Sequence, residues 1–163
     1  MTDILTIRAI DGTTFDVDKS TAFISNLLSV MLEDSDEVEV PVIQVSSNDL
    51  GKIIEFMEIY KRNPFPKIQT PLQSNNMSEN VGAIYAEFID SLSQADFFSL
   101  INAANYMQVE PLMTLCCCKI ASYLVNKKKD EIPAVFGLPS DVRFDDEDYG
   151  RTLDAFPWAE RFL

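Results

Sequence analysis

Residues 3–32 read DILTIRAIDGTTFDVDKSTAFISNLLSVML, and within this stretch the spacing of apolar side chains changes from two to about 3.6, the helical period. Leu5, Ile7 and Ala9 alternate with Thr6 and Arg8, and Phe15 and Val17 alternate with Thr14 and Asp16. Between them stands Asp11-Gly12, a pair that tolerates the positive φ values a tight hairpin turn demands. A β-hairpin over 3–17 follows. Ser20 or Thr21 then caps a helix over 20–32, in which Phe23, Ile24, Leu27, Leu28 and Met31 recur at helical spacing. Two strands running straight into a helix place the chain in the α+β class.

Moving outward, Glu33, Asp34, Asp36, Glu37 and Glu39 make an acidic stretch read as a solvated loop. Val40, Val42 and Val45 alternate over 40–45, with Pro41 pointing to an edge strand or a strand start. From Ser47 or Asn48 a helix runs to about Lys61 along a Leu50, Ile53, Ile54, Met57 stripe. Residues 62–80 hold Pro64, Pro66 and Pro71 among many Asn, Gln and Ser, and are predicted to be a long linker or flexible loop. The second half reads as helical. Val81, Ile84, Tyr85, Phe88 and Ile89 follow helical spacing, and Ser93 with Asp96 forms a capping box opening a helix through about Tyr106. A further helix carries Leu112, Leu115, Cys116, Ile120, Tyr123 and Leu124, with Pro111 in its first turn. A short segment, Asp130 to Leu138, has Pro133 near its first helical position and Gly137 at its end. Beyond the acidic run Asp145 to Asp148, the tail carries Tyr149, Phe156, Trp158 and Phe162. Such groups either fold back over the core or wait for a partner, and both readings stand at this point.

Composition narrows the function. The 163 residues suit one domain with an appended element. Thirteen Lys and Arg against 26 Asp and Glu give a net charge of −13, which argues against a nucleic-acid binder and against docking on an anionic membrane. There is no histidine, so the commonest general base and metal ligand is missing, along with every Ser–His or Cys–His pair. The consecutive Cys116, Cys117 and Cys118 cannot staple distant segments or form a tetrahedral zinc site, and they read as small apolar residues on a helix. The single glycines assemble no phosphate-cradling loop. The start of the chain shows no signal-peptide pattern, and no apolar run approaches the roughly 18 residues of a membrane span, so a soluble intracellular protein is expected. The better reading is an interaction module with no cofactor and no enzymatic role.

Several stretches carry a resemblance. Val17-Asp18 is followed by Ala22, Ser25 and Met31-Leu32-Glu33-Asp34, and the Asp11-Gly12 turn by Phe15. Val40-Pro41-Val42 leads into the Ile53–Tyr60 helix. Most specific is Phe98 with Leu100-Ile101-Asn102-Ala103-Ala104-Asn105-Tyr106-Met107, then Leu112, Cys117, Ile120 and Ala121, with Glu131-Ile132, Phe136 and Trp158 in the tail. Over nearly the whole chain these resemble the S-phase-kinase-associated adaptor family of SCF ubiquitin ligases. Elongin C shares the fold and part of the Ala-Ala-Asn-Tyr run, but stops before the F-box-binding tail.

The resemblance implies an α+β BTB/POZ domain, a small three-stranded sheet with packed helices, over 1–125, extended by C-terminal F-box-binding helices over 126–163. It implies a non-catalytic adaptor that binds a cullin N-terminal domain through its BTB half and F-box proteins through its last helices, in cytoplasm and nucleus, with a weak homodimer through the BTB half when unpartnered. Carried over by position, Asn105 and Tyr106 match the cullin face. Cys117, Ile120, Ile132, Val135, Phe136, Leu138 and Trp158 match the F-box groove, an apolar slot suited to an amphipathic helix. Each groove residue has plain core packing as its alternative. The rival readings are a kinetochore-type structural subunit that binds F-box proteins without a cullin, an elongin C-like adaptor outside SCF, and a self-associating BTB scaffold. The chain departs from the family pattern where Lys128-Lys129-Asp130-Glu131 replaces a Thr-Pro-Glu-Glu opening and where Pro133 is inserted. A proline there removes a backbone donor, so that helix is expected to start late or be short.

Overall fold

The computed structural model describes residues 4–33, 39–137, 146–155 and 157. The hairpin forms as its turn chemistry dictates. Gly12 sits at φ 86°, and the Asp11 carboxylate accepts the backbone N–H of Thr13 at 3.0 Å and of Ser47 at 3.2 Å. Strand β1 (Ile4–Arg8) pairs antiparallel with β2 (Thr14–Asp18), with Leu5 opposite Val17 and Ile7 opposite Phe15. On its other side β1 pairs in parallel with β3 (Glu39–Pro41), giving the order β2-β1-β3. Pro41, which lacks a ladder donor, lies on this edge strand as expected. The strand is shorter than the predicted 40–45. Val42 and Val45 stay fully buried, but residues 42–45 turn across the end of the sheet, where the Val45 carbonyl accepts the Ile10 N–H at 3.0 Å.

The continuous helix predicted over 20–32 is instead two pieces, α1 (Lys19–Ala22) and α2 (Asn26–Glu33). The break coincides with a tertiary contact: the buried Ser25 hydroxyl donates to the Met107 carbonyl at 2.5 Å. Helix α3 (Ser47–Arg62) opens on a Ser46 cap that accepts the Asp49 N–H at 3.2 Å. It buries Leu50, Ile53, Phe56 and Met57 completely. The Phe56 ring lies 5.8 Å from Tyr60 and 5.9 Å from both Tyr85 and Phe88, within the 4.5–7 Å range of favourable aromatic pairs.

Residues 62–80 differ from the predicted linker. Arg62 closes α3, and α4 (Met77–Val81) is a helical turn capped by Asn76, with Met77 and Val81 buried. Between them Phe65, Ile68 and Leu72 pack against the core. Prolines forbid regular structure here but not burial, so these apolar residues still find the core without forming a helix. Helices α5 (Ala83–Asp90), α6 (Gln94–Tyr106) and α7 (Glu110–Leu124) complete this part. The Ser93–Asp96 capping box forms, with the Asp96 N–H donating to Ser93 Oγ at 3.2 Å and the hydroxyl returning to the carboxylate at 2.6 Å. Pro111 occupies the first turn of α7.

The chain divides into two compact units, Met1–Val125 and Asn126–Leu163. Among the described residues the buried core lies wholly in the first. In the second, a 3₁₀ turn (Lys129–Glu131) leads into α8 (Ile132–Val135), a single turn with Pro133 at its start and Gly137 at φ 64° beyond its end. The inserted proline thus goes with a short helix, as expected. Helix α9 (Asp146–Ala155) falls within the C-terminal helices that the resemblance implies over 126–163, although its first turn by itself reads as an acidic run; acidic residues at a helix N-terminus favour the helix through its dipole. Leu138, Phe156, Trp158, Phe162 and most of the 33–39 acidic stretch lie outside the described residues. Among those described, no helix is long and apolar enough to cross a membrane.

Candidate functional site

The first candidate surface is the end of α6. The helix stops at Tyr106 because Gln108 takes a left-handed conformation, φ 53°, which turns the chain into α7. This leaves carbonyls at the end of α6 in need of donors. The start of α2 supplies them. The Asn26 N–H donates to the Gln108 carbonyl at 3.3 Å, the Leu27 N–H to the Met107 carbonyl at 3.4 Å, and the Asn26 side-chain amide to Gln108 Oε1 at 2.7 Å. With Ser25, the free N–H groups of one helix meet the free carbonyls of another, and both ends are held. On this fixed corner Asn105 is exposed and Tyr106 is half-buried against the core. Asn105, Asn26, Gln108 and Glu110 line a shallow hollow of about 450 Å³. A polar amide beside an anchored phenol suits a protein interface better than an enclosed catalytic pocket.

The second surface lies on α7. Cys116 and Cys118 are buried, and burial pushes the Cys116 thiol up to about 12 and the Cys118 thiol upward too. These two are packing residues, as the sequence suggested. Cys117 faces outward, and Ile120, three residues on, is half-buried. Lys119 ties this helix to the end of α5 by a 2.6 Å ion pair with Asp90, its Nζ standing 4.7 Å above the Tyr123 ring. Cys117 opens into an apolar groove of about 530 Å³ that Phe65, Ile68 and Leu72 wall on the far side.

In the second unit Ile132, Val135 and Phe136 are each half-buried, and α8 has no buried residue. A single turn cannot enclose its own apolar side chains, so these three keep surface available for a partner. Asn105 and Tyr106 therefore share one corner, while the seven groove residues divide. Cys117 and Ile120 belong to the first unit, Ile132, Val135 and Phe136 to the second, and Leu138 and Trp158 fall outside the described residues. Sequence reasoning missed Asn26 and Gln108, 82 residues apart and joined only by the fold. It also missed Phe65, Ile68 and Leu72, whose apolar spacing is visible but is masked by the prolines around it.

Comparison with known proteins finds one family at two stretches of the chain. Residues 3–62 fit the profile of the Skp1 family tetramerisation domain, and residues 110–151 that of the Skp1 family dimerisation domain. A Tetrahymena thermophila protein named S-phase kinase-associated protein 1 homolog is 35% identical over 155 residues, covering 94% of this chain and 92% of its own. The Arthroderma benhamiae E3 ubiquitin ligase complex SCF subunit sconC is 28% identical, covering 98% of this chain and 96% of its own. The Schizosaccharomyces pombe Suppressor of kinetochore protein 1 is 29% identical, covering 92% and 93%.

Proposed function

The chain belongs to the Skp1 family, and from that premise we propose that it is a non-catalytic adaptor of an SCF-type ubiquitin ligase, joining a cullin N-terminal domain to F-box substrate receptors. The observation that carries this reading is the family match over two stretches, 3–62 and 110–151, in a chain whose length agrees with its relatives. Asn105 and Tyr106 are the proposed cullin contacts, on the corner fixed by Ser25 and Asn26. Cys117, Ile120, Ile132, Val135, Phe136, Leu138 and Trp158 are the proposed F-box contacts. The role in the cytoplasm and nucleus, and a weak homodimer through the first unit when no partner is bound, belong to the same proposal.

The chemistry asked of such a protein is positional. Two faces on one chain turn a bimolecular encounter between ligase and substrate into a local one, raising effective concentration without any reacting group of the adaptor. The test mixes the full chain with an F-box domain and a cullin N-terminal domain and weighs the product by light scattering after size exclusion. A one-to-one-to-one complex is expected. Asn105→Ala with Tyr106→Ala is expected to weaken cullin binding about tenfold or more, as removal of an interface anchor does, and to spare F-box binding. Equal loss of both would sink the assignment. F-box binding without any cullin binding would favour a structural subunit, the reading that the kinetochore name of one relative brings to mind.

A further inference from the structure

We propose that residues Phe65–Leu72 form a specificity wall for the F-box: with the outward face of α7 they make a slot that takes a bulky apolar side chain of the receptor. This rests on the F-box reading given above and deepens it.

Thr114, Cys117 and Ala121 lie along one face of α7, at the i, i+3, i+7 spacing that stacks side chains in a row. Opposite them stand Phe65, Ile68 and Leu72. The enclosed volume of about 530 Å³ falls within the range of roughly 300–1,000 Å³ seen for clefts that hold small molecules. Its lining is mainly apolar, with Lys67 and Thr70 beside Phe65, Ile68 and Leu72, so the greater part of an occupant's contact is with apolar surface.

The wall is held, not draped. The Phe65 ring meets Tyr85 edge-on at 5.0 Å and Tyr60 at 5.4 Å. The Tyr85 hydroxyl donates to the Asn63 carbonyl at 2.7 Å, fixing the start of the segment. Beyond its far end the Asn80 amide donates to the Ser74 carbonyl at 2.9 Å and to that of Asn76 at 3.1 Å. A preformed slot costs its ligand less ordering entropy than one built on binding.

The occupant follows from continuity. Cys117, already a proposed F-box contact, is exposed into this slot, so a receptor helix that covers Cys117 also covers the slot's mouth. The floor lies in the 110–151 stretch that matches the family profile, whereas the wall lies between the two matched stretches. A slot beside a receptor contact discriminates among receptors by the side chain that each presents there.

The experiment uses the full chain, one purified F-box domain, and N-ethylmaleimide as the probe. Alkylation of Cys117 is followed by peptide mass mapping with and without saturating F-box domain, and a roughly tenfold or greater slowing is expected for a thiol desolvated at an interface. Ile68→Ala and Leu72→Ala are expected to lower F-box affinity about fivefold or more each, the cost of truncating a buried contact. Cullin affinity, unchanged, reports that both variants are folded. If the F-box domain binds while Cys117 reacts as fast as in the free chain, the slot is outside the interface and the inference falls, though the adaptor reading stands. If Cys117 is protected but both variants bind normally, the wall selects nothing and the inference again falls. Absence of any F-box binding would remove the adaptor reading itself.

Discussion

At the scale of single residues, Asp18 shows how one carboxylate can close a junction. Its Oδ1 accepts the Ser20 N–H at 2.9 Å, the Ser20 hydroxyl, and the Lys61 ammonium of α3 at 3.1 Å, while Lys61 also reaches Ser20 Oγ and Thr21 Oγ1. The strand-to-helix corner is thereby tied to the far end of α3. The hydrogen bond from the Ser20 side chain, with Lys61 next, holds the Asp18 carboxyl down at about 2 from its ordinary 3.8. The folded chain thus binds this proton less readily than the unfolded one. Its contribution to stability is complete above pH 3.8 and is lost as pH falls through 2. Asp18→Asn is therefore expected to lower the urea midpoint at pH 7, by a modest amount since the group is exposed, and to leave it close to wild type at pH 2. A deficit that persisted unchanged at pH 2 would mean that the cap's shape, not its charge, matters.

At the scale of elements, what could be read from sequence divides by how local its cause is. The Asp11-Gly12 turn, the Ser93–Asp96 box, Pro111 and the Pro133–Gly137 bracket are each decided by neighbours within a few residues, and each appears in place. The break between α1 and α2, the parallel pairing of β3 on β1 and the burial of Phe65, Ile68 and Leu72 all depend on residues far along the chain, which no periodicity records. Likewise the proposed contacts Asn105 and Tyr106 rest on resemblance alone, and the Asn26–Gln108 hydrogen bond at the same corner was not legible at all. Ser25 tests this division. Its hydroxyl donates to the Met107 carbonyl and accepts the Leu28 N–H at 3.3 Å inside the core. Ser25→Ala strands the Leu28 N–H and leaves the Met107 carbonyl only its longer bond from the Leu27 N–H, and is expected to cost about 1–3 kcal/mol in urea unfolding, the usual penalty for an unsatisfied buried group. A loss well under 0.5 kcal/mol, about the least a typical hydrogen bond contributes, would show that the break is set by local sequence instead.

At the scale of the whole molecule, the two units contribute unequally to folding. The buried side chains among the described residues run from Leu5 to Ser122, and the first unit carries the sheet, α3 and the aromatic cluster around Phe56. The second unit offers half-buried apolar groups and a short helix without a buried residue. Hydrophobic stabilisation scales with apolar area removed from water, so among the described residues nearly all of it belongs to the first unit. A chain ending after Val125 is therefore expected to unfold cooperatively, with a stability within about 1 kcal/mol of the full chain, because none of the described residues beyond Val125 is buried. It is expected to keep cullin binding, since Asn105, Tyr106 and the Ser25 contact remain, and to lose most F-box affinity with Ile132, Val135 and Phe136. Calorimetry and titration against each partner separate these effects. Unfolding of the shortened chain at ambient temperature would mean that residues 126–163 complete the core, whereas undiminished F-box affinity would confine receptor recognition to α7 and the slot beside Cys117. The expected combination, a stable fold with one partner kept and the other lost, would follow from the proposed cullin contacts lying in the first unit, where every described buried residue is, and three of the proposed F-box contacts lying in the second.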